Sequence, residues 1–444
     1  MSIDVEAGPV GGSVQDLVAR NFAQHDGELL IGGIGARELL KRFGSPLYVY
    51  DLGIVKRQLQ HLRATLPQRF SVFYSIKANP AQALLRHFVQ EGCGLEIASD
   101  GELHQALAAG CPPERIVFAG PGKTEDELSA ALDAGIGEIH VESLTEARRI
   151  ARLAAARGQV AHIALRVNPS AAVEGGGMRM GAKPVAFGID EDQLPDVLSA
   201  LQSEASLRVV GLHLFVGTQI LDADTLLRQY RAGLAIARAI AAQCGPLQTI
   251  DLGGGLGVPY FANERCLDLE ILRTGLHALM AEIESDAAFH GTRFVLEPGR
   301  FLVAEAGIYL TRVTDIKVSR GKTFVIVDGG MHHHLAASGN LGQTIKRNFP
   351  VAVVNRLEAP ATEVVEVAGP LCTPLDQLAR ALQVPEVSIG DVLGVFQSGA
   401  YGRSASPLGF LSRRAPAEVV VDAGQARLIR RSGALDDTLA DQLP

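Results

Sequence analysis

A lysine, Lys77, stands at the end of an apolar run in the segment FYSIKANP. Buried strands rarely tolerate an ammonium group, because the charge loses its hydration there. A desolvated lysine gives up its proton more easily, and the free amine is a nucleophile toward an aldehyde. The alternative is an ordinary lysine that extends its charged end into solvent at the rim of a sheet. Position alone does not decide between these interpretations.

Three consecutive glycines, Gly253, Gly254 and Gly255, follow another apolar run in the segment DLGGGLG. Glycines let backbone N–H groups approach a phosphate without interference from side chains. A tight turn would require glycines as well. The run is therefore a weak signal when it is taken alone.

A carboxylate and a guanidinium, Glu297 and Arg300, follow a third apolar run in LEPGRFLV. A carboxylate at the end of a buried run needs a cationic or hydrogen-bonding partner. A pyridinium N–H would be such a partner, and the carboxylate would keep that ring protonated as an electron acceptor. Arg300 is suited to a phosphate or a carboxylate. An internal ion pair between Glu297 and Arg300 is the simpler alternative.

The elements that must position these residues form an alternating pattern of short apolar runs and helical stretches from about residue 70. The eight runs are 71–76, 94–98, 116–119, 138–142, 162–167, 209–216, 249–252 and 294–297. Such alternation predicts parallel strands closed into a (β/α)8 TIM barrel. Active sites of these barrels lie at the C-terminal ends of the strands, and phosphate sites often follow strands seven and eight. The amine, the glycines and the carboxylate would meet there, which predicts a pyridoxal 5′-phosphate site.

After about residue 305 the pattern changes to strands with few helices between them. The predicted strands are 308–318, 323–327, 352–354, 363–367, 392–396, 418–421 and 426–430. We therefore predict an α/β chain with a barrel over 46–304 and a mostly β C-terminal domain over 305–444. Residues 1–45 are expected to be an N-terminal segment that packs on the β domain.

Composition excludes several other classes of protein. The net charge of −8 argues against a nucleic-acid binder, since neutralising phosphates requires a surplus of Lys and Arg. The cysteine count is odd, five, without a CxxC motif, so neither a disulfide framework nor a cysteine-rich zinc site is predicted. No signal-peptide pattern and no long apolar stretch occurs, and the expected location is the cytoplasm, away from membranes.

Eight segments between residues 45 and 430 together resemble one enzyme family. In chain order they are YVYD, FYSIKANP, GLEIASDGEL, GLHLFVGTQ, DLGGGLG, EPGR, GPLCTPLD and GAYG. The set resembles the fold-type III pyridoxal-phosphate-dependent decarboxylases, the diaminopimelate and ornithine decarboxylase family. The resemblance implies an alanine racemase-like barrel followed by a β domain, and a head-to-tail homodimer with shared active sites. It also implies a carboxy-lyase that decarboxylates amino acids through a lysine Schiff base and a quinonoid intermediate.

The resemblance also assigns roles to individual residues. Lys77 would hold the cofactor, and Glu297 would pair with its pyridine nitrogen. The residues expected around the phosphate are Gly253, Gly254, Gly255, Gly299, Arg300 and Thr218, the last standing where the family usually has a serine. Tyr401 would contact the cofactor, and Cys372 of the other subunit would return a proton after carbon dioxide leaves. The ordinary alternatives are core packing for Tyr401 and a small buried apolar residue for Cys372.

Departures from the family pattern concern the cofactor ring and the substrate. Phe215 stands where the family stacks a histidine on the ring, and His213 lies two residues earlier. An aromatic ring of phenylalanine can stack as well. The segment after Cys372 normally carries an acid for the distal ammonium of a basic substrate, but here it reads Thr373-Pro374, with Asp376 further on. An unpaired buried ammonium would cost about 3 kcal/mol or more, which argues against free ornithine, lysine and diaminopimelate.

The segment DGGMHHHLAASGNLGQTIKRNFP replaces an Arg-Pro segment that diaminopimelate decarboxylases use for the distal carboxylate of their substrate. It is more similar to the decarboxylases of secondary-metabolite, siderophore and exopolysaccharide gene clusters. Some of those act on amino acids tethered to a carrier protein or on citryl conjugates. Arg347, with the preceding Lys346, would then meet an anionic substrate or an acidic carrier protein. A solvated helix face explains the same two cations.

Several interpretations remain open at this point. Candidate substrate residues are His213, Thr373, Asp376 and Arg347. No metal is predicted, because three adjacent histidines at 332–334 would alternate faces on a strand and could not easily bind one ion. The glycine-rich segment 173–189 resembles a lid over the substrate. A diaminopimelate or ornithine/lysine decarboxylase proper, an amino-acid racemase and an inactive regulator are the alternative functions.

Overall fold

The fold was analysed in a computed structural model that describes residues 11–170, 178–179, 184–215 and 217–443. Most of the predicted lid segment 173–189 lies outside these residues, as do the first ten residues of the predicted N-terminal segment. The chain forms two compact units. One comprises residues 61–257 and 267–299, and the other comprises residues 1–60, 258–266 and 300–444.

Strands and helices alternate in the first half of the chain, and strands dominate the second half. The strands are β1 (Ala23–His25), β2 (Glu28–Ile31), β3 (Ile34–Gly35), β4 (Leu47–Asp51), β5 (Phe70–Ser75), β6 (Gly94–Ile97), β7 (Ile116–Phe118), β8 (Glu138–Val141), β9 (Ala161–Asn168), β10 (Met178–Arg179), β11 (Ile189–Asp190), β12 (Leu207–Leu214), β13 (Gly217–Thr218), β14 (Thr249–Asp251), β15 (Arg293–Leu296), β16 (Gly307–Ser319), β17 (Lys322–Val327), β18 (Val351–Val353), β19 (Glu363–Ala368), β20 (Gln377–Val384), β21 (Val392–Val395), β22 (Ala417–Asp422) and β23 (Gln425–Arg430). The α-helices are α1 (Val14–Asn21), α2 (Ala36–Phe43), α3 (Leu52–Thr65), α4 (Gln82–Gln90), α5 (Asp100–Ala108), α6 (Glu125–Ala134), α7 (Leu144–Ala155), α8 (Leu194–Leu201), α9 (Ala223–Cys244), α10 (Leu269–Ile283) and α11 (Arg300–Val303).

The predicted barrel is confirmed. Parallel pairing runs through β5, β6, β7, β8, β9, β12, β14 and β15, and β15 pairs again with β5. Each of the eight strands overlaps one of the eight predicted apolar runs. The runs were recognisable because strands of a parallel barrel are buried on both faces and are therefore continuously apolar.

Local sequence signals define the ends of the barrel helices. Thr124 accepts a hydrogen bond from the N–H of Glu127, whose carboxylate accepts one from the N–H of Thr124 in return, so that α6 begins with a capping box. Ser99 and Ser143 cap α5 and α7 in a related way. The helix α6 ends at Gly135, which adopts φ 67°. These signals fix where the helices after β6, β7 and β8 begin.

The second unit contains a β-sheet in the order β20-β19-β17-β16-β4-β22-β23, with β21 paired to β16 and to β18. One boundary of the prediction was wrong. Leu47–Asp51, expected within the barrel range 46–304, is instead the wholly buried strand β4 between β16 and β22. A short apolar run reveals a buried strand but not the sheet to which that strand belongs. The strand β20 (Gln377–Val384) was also missed, because QLARALQV lacks a strict alternation of apolar and polar residues.

Residues near the N-terminus contribute to the core of this same unit. Leu17, Leu29 and Leu39 share a hydrophobic cluster with Ile308 and Val419. None of the helices in the described residues is both long and apolar enough to cross a membrane.

Candidate active site

Lys77 lies in a single 3-10 turn, Ile76–Ala78, directly after β5. Its Nζ atom is 2.8 Å from both carboxylate oxygens of Glu96, which is buried on β6 at 1% exposure. The side chain of Lys77 itself is 42% exposed. Ser75, the last residue of β5, also donates a hydrogen bond to Glu96. The amine is therefore held in place by a buried carboxylate while it stays accessible, which a simple rim lysine would not require.

Glu96 is a candidate functional residue that the sequence reasoning missed. The segment GLEIASDGEL was noted as a motif, but the signal was more specific: a carboxylate inside a strand of four buried residues. The nearby Glu102 accepts the N–H of Ala98 at 2.7 Å. Burial and the charge of Glu96 raise the pKa of Glu102 to about 7. Glu102 is therefore a second carboxyl group near Lys77, and its protonated form is favoured by burial.

Glu297 follows β15 and is 4% exposed. Its Oε2 atom is 3.4 Å from Nε2 of His213, whose ring centroid lies 4.3 Å from that of His140. Burial lowers the pKa of both histidines well below its usual range, so both imidazoles are neutral at physiological pH. The Oε1 atom of Glu297 is buried and has no hydrogen-bond partner among the described residues. This oxygen is therefore available to accept a hydrogen bond.

His213 does not occupy the place expected of a substrate contact. It is 2% exposed, and its Nε2 atom faces Glu297. The predicted contact with substrate is contradicted by this burial. Position within β12 explains the error, because residues inside a barrel strand can face the packed interior of the barrel.

Asp251, another residue missed by the sequence reasoning, ends β14 and is fully buried. It accepts the N–H of Gly253 at 2.8 Å. Burial and the neighbouring Glu297 raise the pKa of Asp251 well above its usual range. Two adjacent buried carboxylates cannot both ionise without a large cost. The protonated form of Asp251 is therefore favoured beside Glu297.

The glycine run is required by the packing of the barrel. A side chain at Gly253 would place its Cβ atom 2.3 Å from the carbonyl oxygen of Leu214, and one at Gly254 would lie 2.5 Å from that of Glu297. Gly253 and Gly255 have φ angles of 70° and 89°, which disfavour other residues. The N–H groups of Gly254 and Gly255 have no acceptor among the described residues. The loop thus combines a close approach with two available backbone donors.

Further predicted residues lie in the same unit. A Cβ atom at Gly299 would be 2.8 Å from the Cβ of Ala78, so its backbone packs directly against the turn that carries Lys77. Phe215, half-buried, follows β12, and the guanidinium of Arg166 lies 5.9 Å from the centre of its ring. Thr218, half-buried in β13, pairs through its backbone with β10.

The other unit contains Arg300 and Tyr401. The guanidinium of Arg300 donates to the hydroxyl of Tyr260 at 3.0 Å and lies 4.6 Å from the ring centre of Tyr401. Its Nε atom is buried without a hydrogen-bond partner among the described residues. Tyr401 has a φ of 52°, unusual for a tyrosine, and is half-buried. An anion is the natural partner for the unused Nε–H of Arg300.

Cys372 and Thr373 lie on an exposed turn of this unit, whereas Asp376 does not. Cys372 is exposed, so the alternative of a buried apolar residue is wrong for it. Asp376 is 2% exposed, and its two oxygens accept the N–H groups of Met331 at 2.6 Å and Leu371 at 2.8 Å. The predicted substrate role of Asp376 is contradicted, because both oxygens already hold the backbone of the unit.

The histidine run at residues 332–334 is buried. His333 contacts the hydroxyl of Tyr309 at 3.0 Å through Nδ1, and His334 contacts Ser398 at 3.0 Å through Nε2. Burial lowers the pKa of His332 to about 4 and that of His333 and His334 to about 3. Burial thus favours the neutral form of all three imidazoles. His333 and His334 have separate hydrogen-bond partners, whereas the ring nitrogens of His332 have none among the described residues.

Arg347, predicted to contact substrate, is half-exposed on the β-sheet unit. Its guanidinium lies 3.4 Å from the ring centre of Phe261 and 3.3 Å from a carboxylate oxygen of Glu264. It is therefore partly neutralised by its own chain.

Comparison with known proteins decides the family. The pyridoxal binding domain of the pyridoxal-dependent decarboxylases matches residues 52–304. This chain belongs to the pyridoxal-dependent decarboxylases. The decarboxylase is 39% identical to the L-glutamyl-[BtrI acyl-carrier protein] decarboxylase of Niallia circulans, over 91% of this chain and 95% of that protein.

Two further proteins show the range of the similarity. The decarboxylase is 33% identical to the 2-[(L-alanin-3-ylcarbamoyl)methyl]-2-hydroxybutanedioate decarboxylase of Staphylococcus aureus, over 85% of this chain and 95% of that protein. The crystal structure of diaminopimelate decarboxylase from M. jannaschii in co-complex with L-lysine has a TM-score of 0.88. Its sequence identity is 28%, with 96% of this chain and 98% of that chain covered.

The family assignment agrees with the geometry. The decarboxylase is a carboxy-lyase that uses pyridoxal phosphate. The buried, unpaired Oε1 of Glu297 suits a pyridinium N–H, and the unused N–H groups of Gly254 and Gly255 suit a phosphate. The predictions of the barrel, the cofactor and the reaction class are thus confirmed.

Proposed function

We propose that this enzyme decarboxylates an amino acid held as a conjugate, with a carrier-protein thioester as the main candidate, rather than a free diamino acid. The observation that carries the proposal is the position of Asp376. It is the one carboxylate in the turn 371–376, and both of its oxygens are bound to backbone N–H groups. The turn therefore offers no free carboxylate to the distal ammonium of ornithine, lysine or diaminopimelate, and an unpaired ammonium is costly.

The similarity to known proteins supports a conjugated substrate. The relative at 39% identity acts, by its name, on a glutamyl group attached to an acyl-carrier protein. The relative from Staphylococcus aureus, by its name, acts on an alanine unit joined to a hydroxybutanedioate. Both differ from free diamino acids at the position where a distal ammonium would lie. The shared feature is an amino-acid centre with a large group attached, which a turn without a free acid can accept.

We assign the cofactor to the barrel residues described above. Lys77 would hold its aldehyde carbon, and Glu297 would accept a hydrogen bond from the pyridine nitrogen. The ring of Phe215 would stack on the cofactor ring. We assign the phosphate to Gly253, Gly254, Gly255, Gly299 and Thr218 of the barrel unit. The contact of Arg300, with Tyr401 beside it, stays a prediction. When bound, pyridoxal phosphate captures the substrate amine and accepts the electron pair left behind by departing carbon dioxide.

The protein residues control protons and charge. The carboxylate of Glu297 would stabilise a proton on the ring nitrogen of the bound cofactor, and burial favours the neutral forms of Asp251, His140 and His213 around it. The Nζ atom of Lys77 can receive a proton when the substrate amine takes its place, and Glu96 at 2.8 Å stabilises the resulting ammonium. The same pair holds Lys77 close by, ready to release the product.

We propose that Cys372 donates the proton that replaces the lost carboxylate. Its exposure on a turn supports a role toward a second copy of the chain, as in the head-to-tail homodimer that the family resemblance implies. Thr373 would then lie beside the substrate.

We also propose that the enzyme is cytoplasmic. The five cysteines are all free, which supports a location in the reducing cytoplasm.

The test is release of carbon dioxide from a panel of substrates by the purified, cofactor-loaded enzyme. The panel contains an acyl-carrier protein loaded with L-glutamate, free L-glutamate, a citryl conjugate of diaminopropionate, diaminopimelate and ornithine. We expect release from a conjugate at a kcat/KM at least about tenfold above that of any free amino acid, equivalent to about 1.4 kcal/mol. Efficient turnover of diaminopimelate or ornithine, with none of either conjugate, would refute the proposal.

A further inference from the structure

A cavity of about 310 Å³ lies in the β-sheet unit. Of the residues that line it, only Arg347 is among the candidate substrate residues. The cavity is formed by the segment that follows the histidine run and by the first half of β20. Its lining combines three cations with polar and small apolar side chains: Lys346, Arg347, Arg380, Asn348, Ser338 and Leu378 among them.

The cations of this cavity are largely uncompensated. Lys346 donates to the side-chain oxygen of Asn340, and Arg380 donates through Nε to Gln377 at 2.7 Å. Neither cation forms an ion pair with a carboxylate within the part of the chain that the structure describes. A chain with a net charge of −8 thus concentrates positive charge at one cavity. Such a concentration favours an anionic ligand.

The cavity is also rigidly built. The side chain of Asn348 donates to the carbonyl of Arg380 at 2.7 Å and accepts its N–H at 2.9 Å, which fixes the segment carrying Lys346 against β20. Leu378 and Ala379 are buried at 1% and 2% exposure and give the cavity an apolar floor. The two hydrogen bonds of Asn348 join the backbones of the two lining segments, which reduces the ordering that a ligand must impose on binding.

The cavity adjoins the turn that carries Cys372. The strand β20 begins at Gln377, directly after that turn. Asn340, which holds Lys346, also donates to the carbonyl of Leu375 at 3.3 Å. The five residue-to-residue steps from Cys372 to Gln377 can span at most about 18 Å. A ligand anchored in the cavity can therefore extend a flexible arm toward the turn.

We infer that this cavity binds the phosphate of a carrier protein's phosphopantetheine arm, an inference that rests on the proposed function. The arm carries one phosphodiester next to a carbon with two methyl groups, followed by amides. Lys346 and Arg380 suit the phosphate, and the apolar floor suits the methyl groups. The nearby Ile345 is 79% exposed and offers an apolar contact to the body of a carrier protein.

Binding of 4′-phosphopantetheine and of pantetheine to the cofactor-loaded enzyme, measured by isothermal titration calorimetry, tests this inference. The two probes differ only in the phosphate. We expect 4′-phosphopantetheine to bind at least about tenfold more tightly than pantetheine and than inorganic phosphate. The double variant Lys346→Gln/Arg380→Gln should abolish the preference for the phosphorylated probe. Lys317→Gln, which removes an exposed lysine of β16 outside the cavity, should retain that preference.

Equal affinity of the wild-type enzyme for the two pantetheine probes would overturn the inference, as would an unchanged preference in the double variant. Inorganic phosphate that binds as tightly as 4′-phosphopantetheine would also overturn it, since no arm would then be recognised. These results do not depend on turnover. If the carbon dioxide assay supports a carrier-bound substrate while the probes show no preference, the cavity assignment fails and the proposed function stands. If the probes show the preference while no conjugate is turned over, the proposed function fails instead.

Discussion

The barrel unit and the β-sheet unit use their polar residues in opposite ways. In the barrel, Lys77 and Glu297 follow the C-terminal ends of strands and present unsatisfied or accessible groups. In the β-sheet unit, Asp376 and His333 satisfy their hydrogen bonds within the unit itself. Parallel strands bring their ends together by topology alone, whereas loops of a β-sheet need internal polar contacts to hold their shape. In the proposed function, residues of the barrel therefore supply the general chemistry, and the exposed turn of a second copy of the chain contributes to the choice of substrate.

Replacement of the barrel amine should have the largest effect. We expect Lys77→Ala to lower kcat by on the order of 10³-fold, because no other amine is held by Glu96. The visible absorption of the covalently held cofactor should disappear after dialysis. Lys317→Ala, at an exposed position of β16, should change neither property. Retained absorption in Lys77→Ala would show that another lysine anchors the cofactor.

The charge of Glu297 should matter almost as much. Glu297→Gln keeps the shape of the side chain but removes the charge that stabilises a protonated ring, and kcat should fall by about 10²-fold to 10³-fold. Cofactor content, measured after acid release, should stay close to that of the wild type. Glu284→Gln, at an exposed carboxylate of the same unit, is the matched control. A fall of less than about twofold in kcat would remove Glu297 from its assigned role.

Asp376 should stabilise the β-sheet unit rather than bind substrate. Asp376→Ala leaves two buried N–H groups without their acceptor and should lower the free energy of unfolding by about 2–4 kcal/mol, measured in urea. Asp315→Ala, at an exposed position of β16, should change it by less than about 0.5 kcal/mol. Unchanged stability together with a raised KM would instead make Asp376 a substrate ligand.

Acid should destabilise the β-sheet unit through its buried histidines. Burial lowers the pKa of His334 from 6.5 to about 3. Between these two pH values the unfolded chain therefore binds a proton at this histidine, whereas the folded chain does not. The free energy of unfolding should therefore fall as the pH decreases from 6.5 toward 3, by up to about 1.4 kcal/mol per pH unit for this histidine. Urea unfolding between pH 7.5 and 5 measures the slope. His334→Gln should reduce it, and an identical slope in the variant would contradict this cause.

Sequence alone was sufficient for the barrel and for the strand ends that carry its candidate site residues. Apolar runs mark strands buried on both faces, and the residue after each run must lie at one end of the barrel, as Glu297 shows. Sequence was insufficient where a role depends on the partner of a polar atom. Glu96 and Asp251 were overlooked inside strands, and His213 was misplaced, because burial and neighbours are properties of the folded chain. Asp376 was predicted to contact substrate because its position in the sequence does not reveal that two backbone N–H groups donate to its carboxylate.

The covalent attachment of the cofactor to Lys77 can be tested by reduction with borohydride followed by peptide mass spectrometry. Reduction makes the bond between the cofactor and its lysine permanent, so the modified residue can be located in a digest. We expect a pyridoxyl group on the peptide that contains Lys77 and on no other peptide. A pyridoxyl group on a different lysine, such as the buried Lys123, or no modified peptide from cofactor-loaded enzyme, would contradict the account.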